Sequence, residues 1–203
     1  MNTQNLPEKD EREAVETITE LIEYYKGIFT ILSSCAARQL EEVTFRRNTI
    51  PAQELFDAAG KYFRKVTKNR TEKVELIIEP MDAKVIGDVN QLRFLFENLI
   101  DEALAVREEG VIRLQARKDN EYIRFLFTDT RREKSVTELN QLFYPNLARM
   151  TSGEKGELRG TEYLICKQII RDHDEFAGRR GCRINAEPAE GGGFTVYFTI
   201  PRR

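Results

Sequence analysis

Residues 87–104 read GDVNQLRFLFENLIDEAL. Asp88 can accept hydrogen bonds from the orphan N–H groups of a helix start, and Gln91 stands where a capping box places its reciprocal side chain. Leu92, Leu95, Phe96, Leu99, Ile100 and Ala103 then recur at helical spacing and mark one apolar face. Gly110 follows as a stop. Two stretches rich in β-formers precede this helix, Lys73 to Glu79 and Lys84 to Gly87.

Beyond the helix, Val111 to Ala116 and Tyr122 to Thr128 alternate as a strand pair joined by Lys118-Asp119-Asn120-Glu121. Ser135 with Glu138 forms a capping-box pattern before Leu139, Leu142 and Phe143. Residues 145–159 carry no periodicity, and a helix is expected from Thr161 to about Asp172. Arg183 to Glu187 and Phe194 to Ile200 read as a last strand pair around the turn Glu190-Gly191-Gly192-Gly193.

Toward the N-terminus, Ile18, Ile22, Tyr25, Phe29, Leu32, Ala36, Leu40 and Val43 step by four and three residues. This near-heptad stripe predicts one face of a long helix that needs a partner helix to bury it. Asn48-Thr49-Ile50-Pro51 breaks that helix, and a shorter one carries Leu55, Ala58, Ala59 and Phe63. The expected organisation is a long helix over 1–50 and a two-layer α/β sandwich over 51–203, its helices on one face of a mixed sheet.

Composition narrows the function. Lys and Arg number 32 against 34 Asp and Glu, a net charge of −2 that makes no case for nucleic acid or a membrane surface. The three cysteines, Cys35, Cys166 and Cys182, are widely spaced with no C-x-x-C pair, so reduced thiols of a cytosolic protein are expected. No apolar run approaches the ~18 residues of a membrane span, and no signal-peptide pattern opens the chain. A fragment cut from a longer receptor would read the same way. No Ser-His-Asp set or metal cluster can be argued from the residue pattern.

The joints between elements resemble the ATPase domain of sensor histidine kinases, the nucleotide-binding sandwich shared with heat-shock protein 90 and gyrase. Glu97-Asn98-Leu99-Ile100-Asp101-Glu102-Ala103 is similar to that family's N box, and Phe127-Thr128-Asp129 to the start of its first glycine box. Leu142-Phe143-Tyr144-Pro145 resembles its F box, and Gly160 to Lys167 lies on its second glycine box. Gly191 to Pro201 resembles its closing hairpin, and the helix over 18–47 the second helix of its dimerisation hairpin. Fold similarity of this kind speaks to architecture more than to activity.

The resemblance implies ATP with Mg²⁺ as cofactors and assigns roles by position. Asn98 would contact phosphate, and Asn98 with Glu102 would be the metal position. Asp129 would accept from the adenine amino group. Gly160, Thr161 and Lys167 would belong to the phosphate cradle. The departures are as informative as the matches. Glu102 stands where the family has a second asparagine, either as a hard-oxygen Mg²⁺ ligand or as a solvated helix carboxylate. Thr130, Arg131, Arg132 and Glu133 replace the glycines after Asp129, so Arg131 or Arg132 is expected to pair with Asp129 and fill part of the adenine pocket; the alternative is a pair of solvent-facing arginines. Leu158 and Glu162 replace two glycines of the second box, and a carboxylate at a helix start gains ~0.3–1 kcal/mol there in place of a phosphate. His173, the only histidine, reads as a capping or packing residue, and no phosphoacceptor histidine precedes it.

These features together predict a dimeric pseudokinase-like signalling scaffold, joined through 18–43 and bound to a response regulator or another signalling protein. It would be cytoplasmic, or the cytoplasmic end of a membrane-anchored sensor. The alternative is an active divergent kinase domain whose phosphoacceptor lies upstream.

Overall fold

A computed structural model describes residues 45–144 and 161–203, together with the isolated helical positions Val15 and Ile18. Two compact units divide the chain, Met1–Val43 with Asn146–Thr161, and Thr44–Pro145 with Glu162–Arg203. Apart from Val15, Ile18 and Thr161, the described residues belong to the second unit. The long helix expected over 18–43 and the irregular stretch 145–159 lie outside the described residues, save for Ile18 itself.

The elements run β1 (Asn48–Pro51), α1 (Ala52–Thr67), β2 (Val74–Ile78), β3 (Lys84–Gly87), α2 (Val89–Leu104), β4 (Gly110–Asp119) and β5 (Tyr122–Asp129). Then come α3 (Val136–Asn140), α4 (Thr161–Phe176), β6 (Ile184–Pro188) and β7 (Phe194–Pro201). Five strands form one sheet in the order β2-β4-β5-β7-β6, and β1 pairs with β3 in a separate two-stranded ribbon. Only β2 and β4 are parallel within the five-stranded sheet, with Val74 opposite Gly110. This is the mixed α+β sandwich that the order of predicted elements implied.

Alternation along the strands decides which face is covered. Ile112 and Leu114 of β4 are fully buried while Arg113 between them is exposed. Ile123, Phe125 and Phe127 repeat the pattern on β5, and Val196, Phe198 and Ile200 on β7. Leu55, Phe56, Ala59 and Phe63 of α1 and Leu92, Leu95, Phe96, Leu99 and Ile100 of α2 pack onto that face in one core. Phe56, Phe96 and Phe125 meet edge to face at 5.8–5.9 Å, and Phe125 stacks on Phe198 at 5.1 Å. Such ring pairs add ~0.5–1.5 kcal/mol each to the area they bury.

The structure corrects several expectations. Asn48–Pro51, read as a helix break, is a strand whose residues pair with Gly87 back to Lys84. Asp88 caps α2 as expected, accepting from Asn90 N at 2.9 Å and Gln91 N at 3.2 Å. Gln91 makes no reciprocal bond, and its Oε1 is buried without a hydrogen-bond partner. The second oxygen of Asp88 instead takes Arg46 N at 2.8 Å, a linker amide 42 residues away. The Ser135–Glu138 capping box is complete. The first hairpin runs to Asp119 and Asp129, and α4 continues to Phe176, each longer than its apolar pattern suggested.

Phe125 sits at the centre of the ring cluster and is 0% exposed. Phe125→Ala is expected to lower the unfolding free energy by about 3–5 kcal/mol. Urea denaturation should register this as an earlier midpoint with an unchanged slope.

Candidate functional site

Asp129 ends β5, where the chain turns away from the sheet beneath the β6–β7 turn. Gly193 makes that approach possible: its φ is +82°, and a Cβ there would stand 2.1 Å from the Asp129 carbonyl oxygen. Thr130 then anchors the departing chain to β4, its N and Oγ1 both donating to Val111 O, at 3.1 and 2.9 Å.

The Asp129 side chain is fully buried and must be compensated there, since an unpaired carboxylate in such surroundings is very costly. Four donors do so. Oδ1 accepts from Arg131 N at 3.1 Å and from Arg131 Nε at 2.8 Å. Oδ2 accepts from Arg131 Nη2 at 3.0 Å and from Arg132 Nε at 3.2 Å. A carboxylate has about four acceptor positions, so Asp129 is saturated. The Arg131 contact is the bidentate fork that makes guanidinium–carboxylate pairs strong. Both arginines pair, where the sequence pointed to one or the other.

Arg131 does more than neutralise a charge. Its Nη2 also donates to Ala103 O at 2.6 Å and its Nη1 to Glu108 O at 3.2 Å. Ala103 lies in the last turn of α2, whose carbonyls lack helical partners. Arg70 satisfies the neighbouring carbonyl, Leu104 O, at 2.8 Å. Room for Arg131 depends on Gly110, because a Cβ there would meet Arg131 Cγ at 2.8 Å and its φ is +137°. Arg132 donates to Glu102 O at 3.4 Å and lies 5.7 Å from the centre of the Phe194 ring.

The remaining predicted positions line α2 and α4. Asn98 is buried, and its Nδ2 donates to Phe94 O at 2.6 Å within the helix. Glu102 is buried at 9% exposure, so its reading as a solvated helix carboxylate does not hold. The phenol of Tyr163 is buried near Glu102. Burial first, and the Glu102 charge second, push its pKa well above the ordinary tyrosine range. Phe143 packs edge to face on Tyr163 at 5.7 Å. The Lys167 Nζ donates to Phe143 O at 3.2 Å and sits 3.8 Å from the Tyr144 ring centre. Thr161 begins α4 and Glu162 lies in its first turn. Gly160 lies outside the described residues. No cluster of metal-ligating side chains occurs among the described residues, and no helix among them is long and apolar enough to cross a membrane.

Sequence reasoning missed Tyr163 and the capping of α2 by Arg131. Tyr163 follows the two polar residues that open the helix, and only packing reveals that it faces inward. Nothing in the order of residues links Arg131 to a carbonyl 28 positions earlier.

A five-stranded mixed sheet packed with three long helices, α1, α2 and α4, and a buried aspartate ending its third strand are the frame of a histidine-kinase-like ATPase domain. The chain belongs to the family of histidine kinase-, DNA gyrase B- and HSP90-like ATPases, whose profile matches residues 87–203. The fold is similar to that of a mycobacterial sensor histidine kinase, MprB, at 18% identity and TM-score 0.58, over 78% of this chain and 99% of that one. It is also similar to the catalytic domain of histidine kinase ThkA, at 20% identity and TM-score 0.61, over 77% of this chain and 96% of that one. A crystal structure of ThkA in complex with the response regulator protein TrrA aligns at 17% identity and TM-score 0.64, over 100% of this chain and 53% of that one. At these identities the likeness is one of fold. None of the curated proteins matches this sequence.

Exposed pairs such as Arg93–Glu54 contribute ~0–1 kcal/mol. The Asp129–Arg131 pair, with side chains 0% and 1% exposed, belongs to a different class. Arg131→Ala leaves a buried carboxylate short of two side-chain donor contacts and is expected to cost about 3–5 kcal/mol. Arg131→Lys should recover only part of this, because an ammonium cannot bridge both oxygens and reach Ala103 O. Chemical denaturation of the two variants beside the parent chain measures both.

Proposed function

We propose that this domain is a signalling module of the two-component type whose nucleotide site is closed by its own side chains, so that it acts as a scaffold rather than as a kinase. The observation that carries this reading is the saturated Asp129 carboxylate. Recognition of adenine at that position requires a free acceptor, and all four are occupied by Arg131 and Arg132. The neighbouring groups support it. Asn98 Nδ2 is spent on a helix carbonyl, Lys167 on Phe143 O, and Tyr163 and Phe143 fill space beside Glu102. As placed, these residues do not fit a bound Mg-nucleotide, and no catalytic step is derived through one.

In this reading Asn98, Glu102, Asp129, Gly160, Thr161 and Lys167 are a vestigial nucleotide site, and Asn98 with Glu102 a vestigial Mg²⁺ position. The chain would be organised as a dimerisation helix over 1–50 and the sandwich over 51–203. Two copies would join through 18–43, whose near-heptad stripe cannot bury itself alone. A response regulator is the partner class proposed, by analogy with the ThkA–TrrA complex. The location proposed is the cytoplasm, or the cytoplasmic end of a membrane-anchored sensor.

Calorimetric titration with Mg-ATP tests the closed site. No saturable heat is expected up to millimolar nucleotide. Micromolar binding, abolished by Asp129→Asn, would establish instead an active divergent kinase domain served by a phosphoacceptor upstream. Sedimentation equilibrium tests the assembly: the full chain is expected to be a dimer, and Ile22→Lys with Phe29→Lys on the stripe should make it a monomer.

A further inference from the structure

His173 lies where four parts of the domain meet, and the site reading above assigns it nothing. It is 0% exposed on the last turns of α4. Its Nδ1 faces Ile169 O at 2.8 Å, and its Nε2 faces Asp88 N at 3.1 Å. A carbonyl oxygen can only accept, so Nδ1 carries the proton. An amide N–H can only donate, so Nε2 is the bare acceptor. The ring is therefore held neutral in one tautomer by two backbone groups. The backbone at Gly87 approaches the ring so closely that a Cβ there would meet it at 2.8 Å.

Asp88 connects this ring to the linker. Its N–H goes to His173, Oδ1 caps α2 through Asn90 N and Gln91 N, and Oδ2 accepts from Arg46 N. Phe45 lies edge to face on the His173 ring at 4.9 Å and against Phe176 at 5.9 Å. Beyond it, β1 pairs with β3, and Arg203 N donates to Lys84 O at 3.0 Å at the far end of that ribbon. Linker and helix start thus converge on Asp88 and the neutral ring behind it.

We propose that His173 and Asp88 form an acid-releasable latch that holds the linker Phe45–Pro51 to the domain and to the N-terminus of α2. Protonation at Nε2 turns the acceptor into a donor and sets two N–H groups head to head. Asp88 must then give up its amide bond, and with it the geometry that holds Arg46 N. The charged groups around the ring are Asp88 at the β3–α2 junction and Asp172 on its own helix, while Arg46 and Arg47 of the linker are exposed. Burial lowers the imidazole below its ordinary 6.5; the bond to Ile169 O and the two carboxylates oppose that shift without cancelling it. A lowered folded-state value means the unfolded chain binds the proton more readily. The stabilisation is thus complete above the unfolded value and is lost as pH falls below it toward the folded one.

Because the chain has one histidine, its imidazole protons give a single unambiguous NMR titration. Amide exchange at Arg46 and Asp88 in the full chain, corrected for intrinsic rate, reports the latch directly. Protection of both amides is expected to fall by up to about tenfold per pH unit as pH drops from the unfolded imidazole value toward the folded one, and to level off where the folded imidazole itself titrates. His173→Gln, which has an acceptor but no titrating proton, should hold protection flat across the same range. Protection in the parent chain that stays flat as pH falls to the imidazole midpoint, or an equal fall in the glutamine variant, would overturn the proposal. The parent titration decides the matter by itself if the variant does not fold.

Discussion

A carboxylate buried at the end of a central strand must be answered by donors, and the answer chosen here shapes the surroundings. Asp129 has no access to water. Its compensation comes from the two residues that follow it almost at once, so the chain after β5 is obliged to fold back over its own strand end. That places Arg131 in the interior, where its remaining N–H groups meet the open carbonyls of α2. Gly110 and Gly193 are then required: one leaves space for the arginine stem, the other for the β6–β7 turn above the aspartate. A single unsolvated charge thus ties together β4, β5, β7 and the C-terminal end of α2.

Helix α2 is held by polar groups at both ends and by apolar contact along its length. At its start, Asp88 satisfies N–H groups and reaches the linker; at its finish, Arg131 and Arg70 satisfy carbonyls. Between them, Leu92, Leu95, Phe96, Leu99 and Ile100 press on the sheet. The residues that resemble a nucleotide box, Asn98 and Glu102, sit on this fixed rod, so anything that disturbs either end is felt at their position. A flexible, glycine-rich segment beside Asp129 would have left the distal end of the rod open to a ligand. The arginines that replace it convert an adaptable loop into a clamp.

Much of the architecture was legible because it is written in local patterns. The apolar period of α2, the alternation of both hairpins, and the Ser135–Glu138 capping box each concern residues within a few positions of one another, and each is found where the pattern placed it. The limits were set by competition between partners. Gln91 fits a capping box by spacing, yet the Asp88 N–H that its Oε1 would accept goes to His173 Nε2. Asn48–Pro51 carries break signals and still forms a strand, because β3 offers it an open edge. Glu102 has the composition of a solvated position but lies under neighbours contributed from elsewhere in the chain. Lys167 holds the charge expected of a phosphate contact but is drawn to a carbonyl and a ring 23 to 24 residues away.

The amino-acid order by itself determined which segments become helix and strand, which side of each is apolar, and hence the sandwich, since burial of those faces admits few arrangements. It also placed two cations next to Asp129, close enough that pairing was in view. What it could not decide is which polar atoms meet across the fold. His173 finds its amide 85 positions away and Arg131 its carbonyl 28 positions away. Those meetings are governed by the need of every buried donor and acceptor for a partner, a condition that applies only once packing has excluded water. The core of the domain is therefore a property of the sequence, whereas the saturation of Asp129 by its arginines and the joint at its linker are properties of the folded structure.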